Sequence, residues 1–428
     1  FLGITLTILL SLSASVLATR FQGRPELGGY VRLVSILLLF QTLRGVGFSI
    51  LLGLEEIEGR ALMDIIQGLV KGIASPILVW HGLGISGVLI GHILSYAASS
   101  LLGVFILHRA LSGYGSIDEA SFKTHWLTQL MSYGFPLFLG GFFGGVVNWF
   151  RGLLMSWYIS DYIIGNFGVA SRFTSLVGVF TSSIGTALFP TFSRFSYEDE
   201  AGRLRNVYEN SICYSSLFIV PIVVFLIAFS DSAIGVLFSD KYEFAPLLLR
   251  LLLLPVLMVG VGSLSNINLL NSQGYTNATM RVSGVRSLVL AAASALLVFY
   301  YGMIGYVLSL VIADVLGSIS SLYILNKTYD IKPRIKHSAM VYLASFISVI
   351  LAFFFTTGFE TYIVNLGVGG FIFVTSYMFI SPLIGVLTLR DIDNLKSMFK
   401  DFILIYPIIQ IILNFERRIV KIRVEILK

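Results

Sequence analysis

Five charged side chains stand inside long apolar runs: Arg44, Lys71, Arg151, Arg172 and Asp314. Taking such a charge to mid-bilayer costs at least about 2.5–3.5 kcal/mol, so one that stays there faces a wet cavity or a partner. Four of the five are cations. A cavity lined by unspent guanidinium and ammonium groups stabilises an anion, and phosphate above others, because the planar guanidinium matches its oxygens bidentately. A pump for cationic substrates needs the opposite sign. Each charge also has a plainer reading, as half of an ion pair or as a long stem reaching the interface. Arg151 lies between Trp149 and Trp157, near the outer end of its run, where its stem can reach that interface. Asp314 reads either as an ion-coupling carboxylate or as the partner of an arginine. The amides Gln41, Gln67, Asn148, Asn266 and Asn268 lie in or at the ends of the same runs. They suit either sugar hydroxyls or bonds across helices. The candidate substrate-binding set is therefore Arg44, Arg172, Lys71, Arg151, Asn148 and Gln41, with Asp314 as the ion-coupling candidate.

The elements that must position these groups follow from composition. Of 428 residues, 56% are apolar and only 12% charged, about half the charged share of a soluble protein. That leaves too little polar surface for a soluble enzyme. The apolar residues come in blocks of about 20, the length that crosses a bilayer core of about 30 Å as a helix. Twelve spans are expected: 2–19, 30–52, 61–80, 84–108, 130–157, 162–189, 206–229, 242–265, 280–299, 302–325, 338–358 and 364–388. The blocks are too long and continuous for barrel strands. With the start of the first span inside, 20 of the 29 Lys and Arg fall in the internal loops and tail, against four outside and five within spans. This positive-inside bias puts the C-terminus in the cytoplasm of a multi-pass cell-membrane protein. It also accounts for the net charge of +6 without nucleic acid. The segment Phe402–Leu413 is apolar apart from Gln410 but too short to cross, and basic residues follow it. A helix in the cytoplasmic interface is expected there.

The chain repeats. Shifted by 218 residues, Gly84 falls on Gly302, Gly87 on Gly305, Arg32-Leu33 on Arg250-Leu251, and spans fall on spans. Six spans is an even number, so the copies run the same way, as two parallel bundles. The organisation expected is all-α: a polytopic membrane bundle of two six-helix lobes plus two extra C-terminal helices. The N-terminal lobe is 1–128, with four spans. The C-terminal lobe is 129–337, with six. The two added spans and a basic tail are 338–428. Matching the copies places two helices ahead of Phe1, so a truncated record is expected. The run Gly140–Gly145 after Pro136 reads as a hinge or as a close-packing surface, and Pro76 and Pro255 as kinks. The five histidines show no metal spacing, Cys213 is the single cysteine, and there is no Walker A motif. No cofactor and no catalytic constellation is expected, and the chain does not read as an enzyme.

Several stretches carry a family resemblance. They are Leu52-Gly-Leu-Glu-Glu-Ile-Glu-Gly-Arg60, Gly82-Leu-Gly-Ile-Ser-Gly-Val88, Ile164-Gly-Asn-Phe-Gly-Val-Ala-Ser-Arg172, Ala187-Leu-Phe-Pro-Thr-Phe-Ser193 and Val236-Leu-Phe-Ser-Asp-Lys-Tyr-Glu-Phe-Ala-Pro246. In order and spacing the chain resembles the polysaccharide (Wzx-like) flippases of the MOP superfamily, which also holds the MATE exporters. In the last stretch Ser239 stands where the family usually has Gly. The resemblance implies that these spans are family helices 3 to 14, with a V-shaped cavity between lobes opening to each side in turn. It implies a prenyl-(pyro)phosphate-linked oligosaccharide as partner, with membrane lipids around it and glycan-assembly enzymes before and after it. By similarity to the lipid II flippase branch, the last two spans guide the lipid tail. The function expected is therefore a flippase working by alternating access. The alternative is a MATE-type ion-coupled antiporter for small molecules, which an excess of cavity carboxylates favours. A membrane glycosyltransferase or polymerase needs a large external loop, and none is present.

Overall fold

A computed structural model describes residues 2–21, 27–112, 124–400 and 406–426. All regular structure among them is helical. The chain divides into two compact units, 1–123 and 124–428. Unit 1 holds α1 (Leu2–Val16), α2 (Gly28–Gly53), α3 (Ile57–Leu78) and α4 (Gly84–Leu111). Unit 2 holds α5 (Thr124–Tyr158), α6 (Asp161–Ser193), α7 (Tyr197–Ala228), α8 (Ser230–Phe238), α9 (Ala245–Leu253) and α10 (Ser263–Ser272). It continues with α11 (Thr276–Tyr329), α12 (Ile335–Thr356), α13 (Tyr362–Ile384), α14 (Leu389–Phe399) and α15 (Tyr406–Ile426).

Nine helices among the described residues are long and apolar enough to cross a membrane. A bent pair, Ala245–Val261 with Ser263–Ser272, makes a tenth. Two of the nine, Ile57–Leu111 and Thr276–Tyr329, have 55 and 54 residues. A straight helix of that length is about 80 Å long, more than twice the bilayer core. Each folds back on itself instead. A methyl group placed on Gly91 would lie 2.8 Å from the Ser75 Cα, and one on Gly87 2.9 Å from the Leu78 carbonyl carbon. One on Gly305 would collide with the Leu297 carbonyl. Counting each hairpin as two crossings gives twelve, the number the hydropathy pattern predicts.

The hairpins are built alike. The second arm of each carries a buried row of small residues at four-residue spacing, which lies on one helix face. In α4 the row is Gly87, Gly91, Ser95, Ser99 and Gly103. In α11 it is Gly305, Ser309, Ala313, Gly317 and Ser321, each 218 residues on. Lipid offers no hydrophobic drive between helices, so small residues that let backbones touch do the holding. The bends match too. Gly84 has φ 49 and ψ −128, and Gly302 has φ 54 and ψ −128, a region that a Cβ closes to other residues. Arg32 donates to Ser15 Oγ of the preceding helix at 3.1 Å, and its equivalent Arg250 donates to Ser230 Oγ at 2.7 Å. These pairs bear out the parallel repeat.

Other details refine the expectation. The eighth span is broken. After α9 the chain tightens into a 3₁₀ stretch, Leu254–Val261, that contains Pro255. It then turns at left-handed Gly262 (φ 89) into α10, with a bend of 56°. α3 runs past Pro76 and opens into a wide turn over Val79–Leu83. α5 is helical throughout, and within its glycine run only Gly140 has a near neighbour: a Cβ placed there would lie 3.1 Å from Ser283 Cβ of α11. Packing, at that one position, is what the run does here.

The tail differs most from expectation. α14 is a polar, amphipathic helix that a search for apolar runs passes over. Its start is a capping box, in which the Asp391 amide donates to Thr388 Oγ1 and the Thr388 amide donates to Asp391 Oδ2. A helix does occupy the expected place, α15, longer than predicted and running through the basic cluster; residues 402–405 lie outside the described residues. Leu413, Glu416 and Val420 are buried. Burial without a cationic partner pushes the Glu416 carboxyl up to about 7.

Two predictions follow from these contacts. Gly84→Ala and Gly302→Ala should each cost about 1–3 kcal/mol in detergent unfolding, while Gly144→Ala, helical with open space around it, should be neutral or stabilising. The raised Glu416 value means its stabilisation is complete below 4.5, the unfolded value, and is lost as pH rises to about 7. Glu416→Gln should abolish that loss, raising stability at pH 8 by roughly 3 kcal/mol relative to wild type and leaving it unchanged at pH 4.

Candidate functional site

In unit 1 the polar groups gather where α2, α3 and α4 meet. Arg44, mid-way along α2, pairs with Asp64 of α3. Its Nε donates to Ser99 Oγ at 3.1 Å, and Ser99 Oγ donates to the Met63 carbonyl at 2.9 Å. Ser99 belongs to the small-residue row of α4, so the close approach of α3 and α4 is what seats the guanidinium. The Arg44 guanidinium carbon lies 5.0 Å from the centre of the Phe48 ring and 5.8 Å from that of Tyr96, and Arg60 lies 3.8 Å from the Phe48 ring centre. Two cations, one carboxylate and two rings leave the cluster net positive. The pair is wet: the Arg44 side chain is 17% exposed and that of Asp64 56%. Gln41, three residues before Arg44 on the same helix face, is exposed and has no partner among the described residues. Lys71, two turns from Asp64 on α3, is likewise exposed and without a partner.

In unit 2 the candidates separate. Arg151 is 2% exposed. Its Nε donates to Ser294 Oγ at 2.9 Å and a terminal nitrogen donates to the Tyr306 carbonyl at 2.9 Å. Its guanidinium sits 3.8 Å from the centre of the Tyr306 ring, and Ser294 Oγ in turn bonds Ser309 Oγ at 2.9 Å. Arg151 therefore ties α5 to both arms of α11; it does not reach for the interface. Eleven residues earlier in both helices, Gly140 meets Ser283, so one face of α5 makes both contacts. Arg172 and Asn148 are exposed and have no partners among the described residues. Asn266 is buried, accepting from Tyr208 Oη at 2.7 Å and donating to Ser321 Oγ at 3.0 Å, and Asn268 donates to the Leu264 carbonyl at 2.8 Å. Both are internal braces.

Asp314 accepts from Arg286 Nε at 2.5 Å. The two residues stand on opposite arms of the hairpin that bends at Gly302. The pair lines a cavity of about 280 Å³ with Thr181, Ser263 and Ser318.

The ledger of four cations to one anion therefore needs correction. Asp64 is a further carboxylate in the middle of a span, and Arg286 is a further span cation that the loop count left outside the spans. Asp64 was legible as a carboxylate seven residues before Lys71 on one face of α3. Arg286 was legible as a charge six residues into the predicted ninth span. Their pairing was not, because it depends on how the arms pack.

The fold so assembled is one also seen in lipid II flippase MurJ and in MATE family transporters. It superposes on the lipid II flippase MurJ in its inward closed conformation with a TM-score of 0.68, 18% identity, 94% of this chain and 82% of the other. It superposes on a multidrug resistance MATE family transporter of the MOP superfamily, in its outward-facing conformation, with a TM-score of 0.65, 18% identity, 77% of this chain and 76% of the other. The sequence pattern of the polysaccharide biosynthesis proteins matches residues 1–246, and that of lipid II flippase MurJ matches 170–378. The first match covers more than half of the chain, which belongs to the polysaccharide biosynthesis protein family. Among relatives, a probable low-salt glycan biosynthesis flippase of Haloferax volcanii is 22% identical over 411 residues, 94% of this chain and 81% of that protein.

Burial separates two arginines that look alike in sequence. Arg151→Ala should lower stability by about 2–4 kcal/mol, since it removes two charge-assisted hydrogen bonds and leaves their partners dry. Arg172→Ala should stay within about 0.5 kcal/mol of wild type. Detergent melting curves of the two variants check this.

Proposed function

We propose that this protein moves a prenyl-(pyro)phosphate-linked oligosaccharide from the inner to the outer leaflet of the cytoplasmic membrane by alternating access, without making or breaking a bond. The observation that carries this reading is the sign of the unspent charge. Arg172 and Lys71 are exposed cations within apolar helices and have no partner among the described residues. Arg44 adds a wet guanidinium that a ligand can reach. A (pyro)phosphate is the anion such groups hold best. Arg151, sealed among its own partners, supports the fold and the local positive field. Asn148 and Gln41, exposed amides on the same helices as Arg151 and Arg44, complete the candidate set.

The antiporter reading fares worse on the same bookkeeping. The mid-span carboxylates Asp64 and Asp314 already face an arginine, as does Glu209 near the start of the seventh span, and a coupling cation at Asp314 must displace Arg286. The family match and the flippase among the relatives support the glycan-lipid reading. The basic C-terminal tail lies on the cytoplasmic side, and the enzymes that assemble and consume the lipid-linked glycan are the partners on either face.

The test is leaflet accessibility of a fluorescent prenyl-pyrophosphate oligosaccharide in proteoliposomes. Wild type should move it well above protein-free liposomes, and Arg172→Ala and Arg44→Ala should each slow it at least about tenfold, the effect of one lost charge-assisted contact. No transbilayer movement under either a proton or a sodium gradient would sink the reading. Movement untouched by both substitutions would sink the site.

A further inference from the structure

The cavity of unit 2 between α6, the broken span and the two arms of α11 has a composition that neither an anion nor a cation site explains. Arg286 spends one of its N–H groups on Asp314 Oδ1, and nothing else among the described residues binds either side chain. Four donors of the guanidinium and the second carboxylate oxygen are left over. Both side chains are partly exposed, at 39% and 30%, on the wall of a cavity of about 280 Å³. Thr181 Oγ1 and Ser318 Oγ also line it. Each donates its own proton to a backbone carbonyl, at 3.0 and 2.8 Å, and so offers only lone pairs to the cavity. The rest of the lining is largely aliphatic, including Pro255, Val256, Val259 and Ile267.

A pyrophosphate at this place meets the Asp314 carboxylate, and a lone metal or ammonium cation meets the Arg286 guanidinium. A hydroxyl meets neither problem, because it both donates and accepts. Fixed donors beside fixed acceptors, with an aliphatic wall for C–H groups, complement a polyol. At about 30 Å³ per liquid water the cavity holds roughly nine waters, the scale of one pyranose ring and not of a glycan chain.

We propose that this cavity is a sugar subsite that takes one uncharged, hydroxyl-rich pyranose, with Arg286 donating to one ring hydroxyl and Asp314 accepting from its neighbour. The assignment rests on the flippase reading for its biological ligand, and it gives sugar recognition to side chains other than the exposed cations of the proposed phosphate set.

The test uses the full chain in detergent, with Ser318→Cys as reporter; the native Cys213 is buried and gives little background. Maleimide labelling of the reporter is followed with a free neutral trisaccharide and, separately, with inorganic pyrophosphate. The trisaccharide should slow labelling at least about fivefold and pyrophosphate should not, and adding Arg286→Gln with Asp314→Asn should abolish the protection. Asp314→Asn keeps side-chain shape, Arg286→Gln keeps a polar amide on a shorter stem, and together they remove both charges, so neither charge is orphaned; a melting curve confirms the fold. Absence of protection by the trisaccharide, equal protection by pyrophosphate, or protection that survives the double replacement would overturn the subsite. Proteoliposome transport separates this from the parent reading: protection without lipid flipping leaves the subsite and removes the flippase, and flipping without protection does the reverse.

Discussion

The polar architecture depends on two rows of small side chains. In lipid, helices gain nothing by hiding apolar surface from water. They adhere through backbone-close van der Waals contact and a few hydrogen bonds. Gly87, Gly91, Ser95, Ser99 and Gly103 in α4, and Gly305, Ser309, Ala313, Gly317 and Ser321 in α11, supply that contact. Each row also seats an arginine. Ser99 accepts from Arg44. Ser309 holds Ser294, which accepts from Arg151. Gly317 lies against the Arg286 stem, 3.4 Å from a notional Cβ. A larger residue on either row would separate the arms and strand the charges beside them.

The arginines then divide by wetness. Arg286 and Asp314, each about a third exposed, form a pair of the kind that contributes about 0–1 kcal/mol. Such a pair can trade partners with an arriving ligand at little cost. Arg151 cannot. Its guanidinium is dry and is satisfied by a carbonyl, a hydroxyl and a ring face, so removing any of these leaves a buried charge short of a partner. Arg151 and Arg286, two arginines of the same unit, therefore do opposite work: one clamps helices and the other stays available.

Most of the fold was legible because apolar length and charge placement are long-range averages. The twelve crossings, the bends at Gly84 and Gly302 and the 218-residue repeat all come from patterns that survive local noise. The structure departs where the pattern is polar or broken. α14 was missed because its face-to-face asymmetry, not its hydropathy, makes it a helix; the Thr388 to Asp391 capping box was the readable sign. α7 starts at Tyr197, nine residues before the predicted span, because its charged first turns lie beyond the apolar run. Pro255 marked the eighth span as kinked, but the sharper turn at Gly262 was not legible, since hydropathy carries no record of a left-handed residue. Of the candidate site, the cations were legible as misfits in apolar surroundings. Their partners were not, because Arg44 finds Asp64 and Arg286 finds Asp314 only through the register of neighbouring arms.

The bend at Gly302 also bears on how the chain can fold. Only Tyr300 and Tyr301 separate the predicted ninth and tenth spans, and the backbone stays helical on both sides of the bend. The two arms therefore meet through residues close together in the chain: a Cβ on Gly305 would strike the carbonyl of Leu297, eight residues back. Contacts of such short sequence separation close quickly. The matching bend at Gly84 brings Gly87 against Leu78, nine residues back, so at both places a pair of crossings is a local unit that can close before longer-range packing begins.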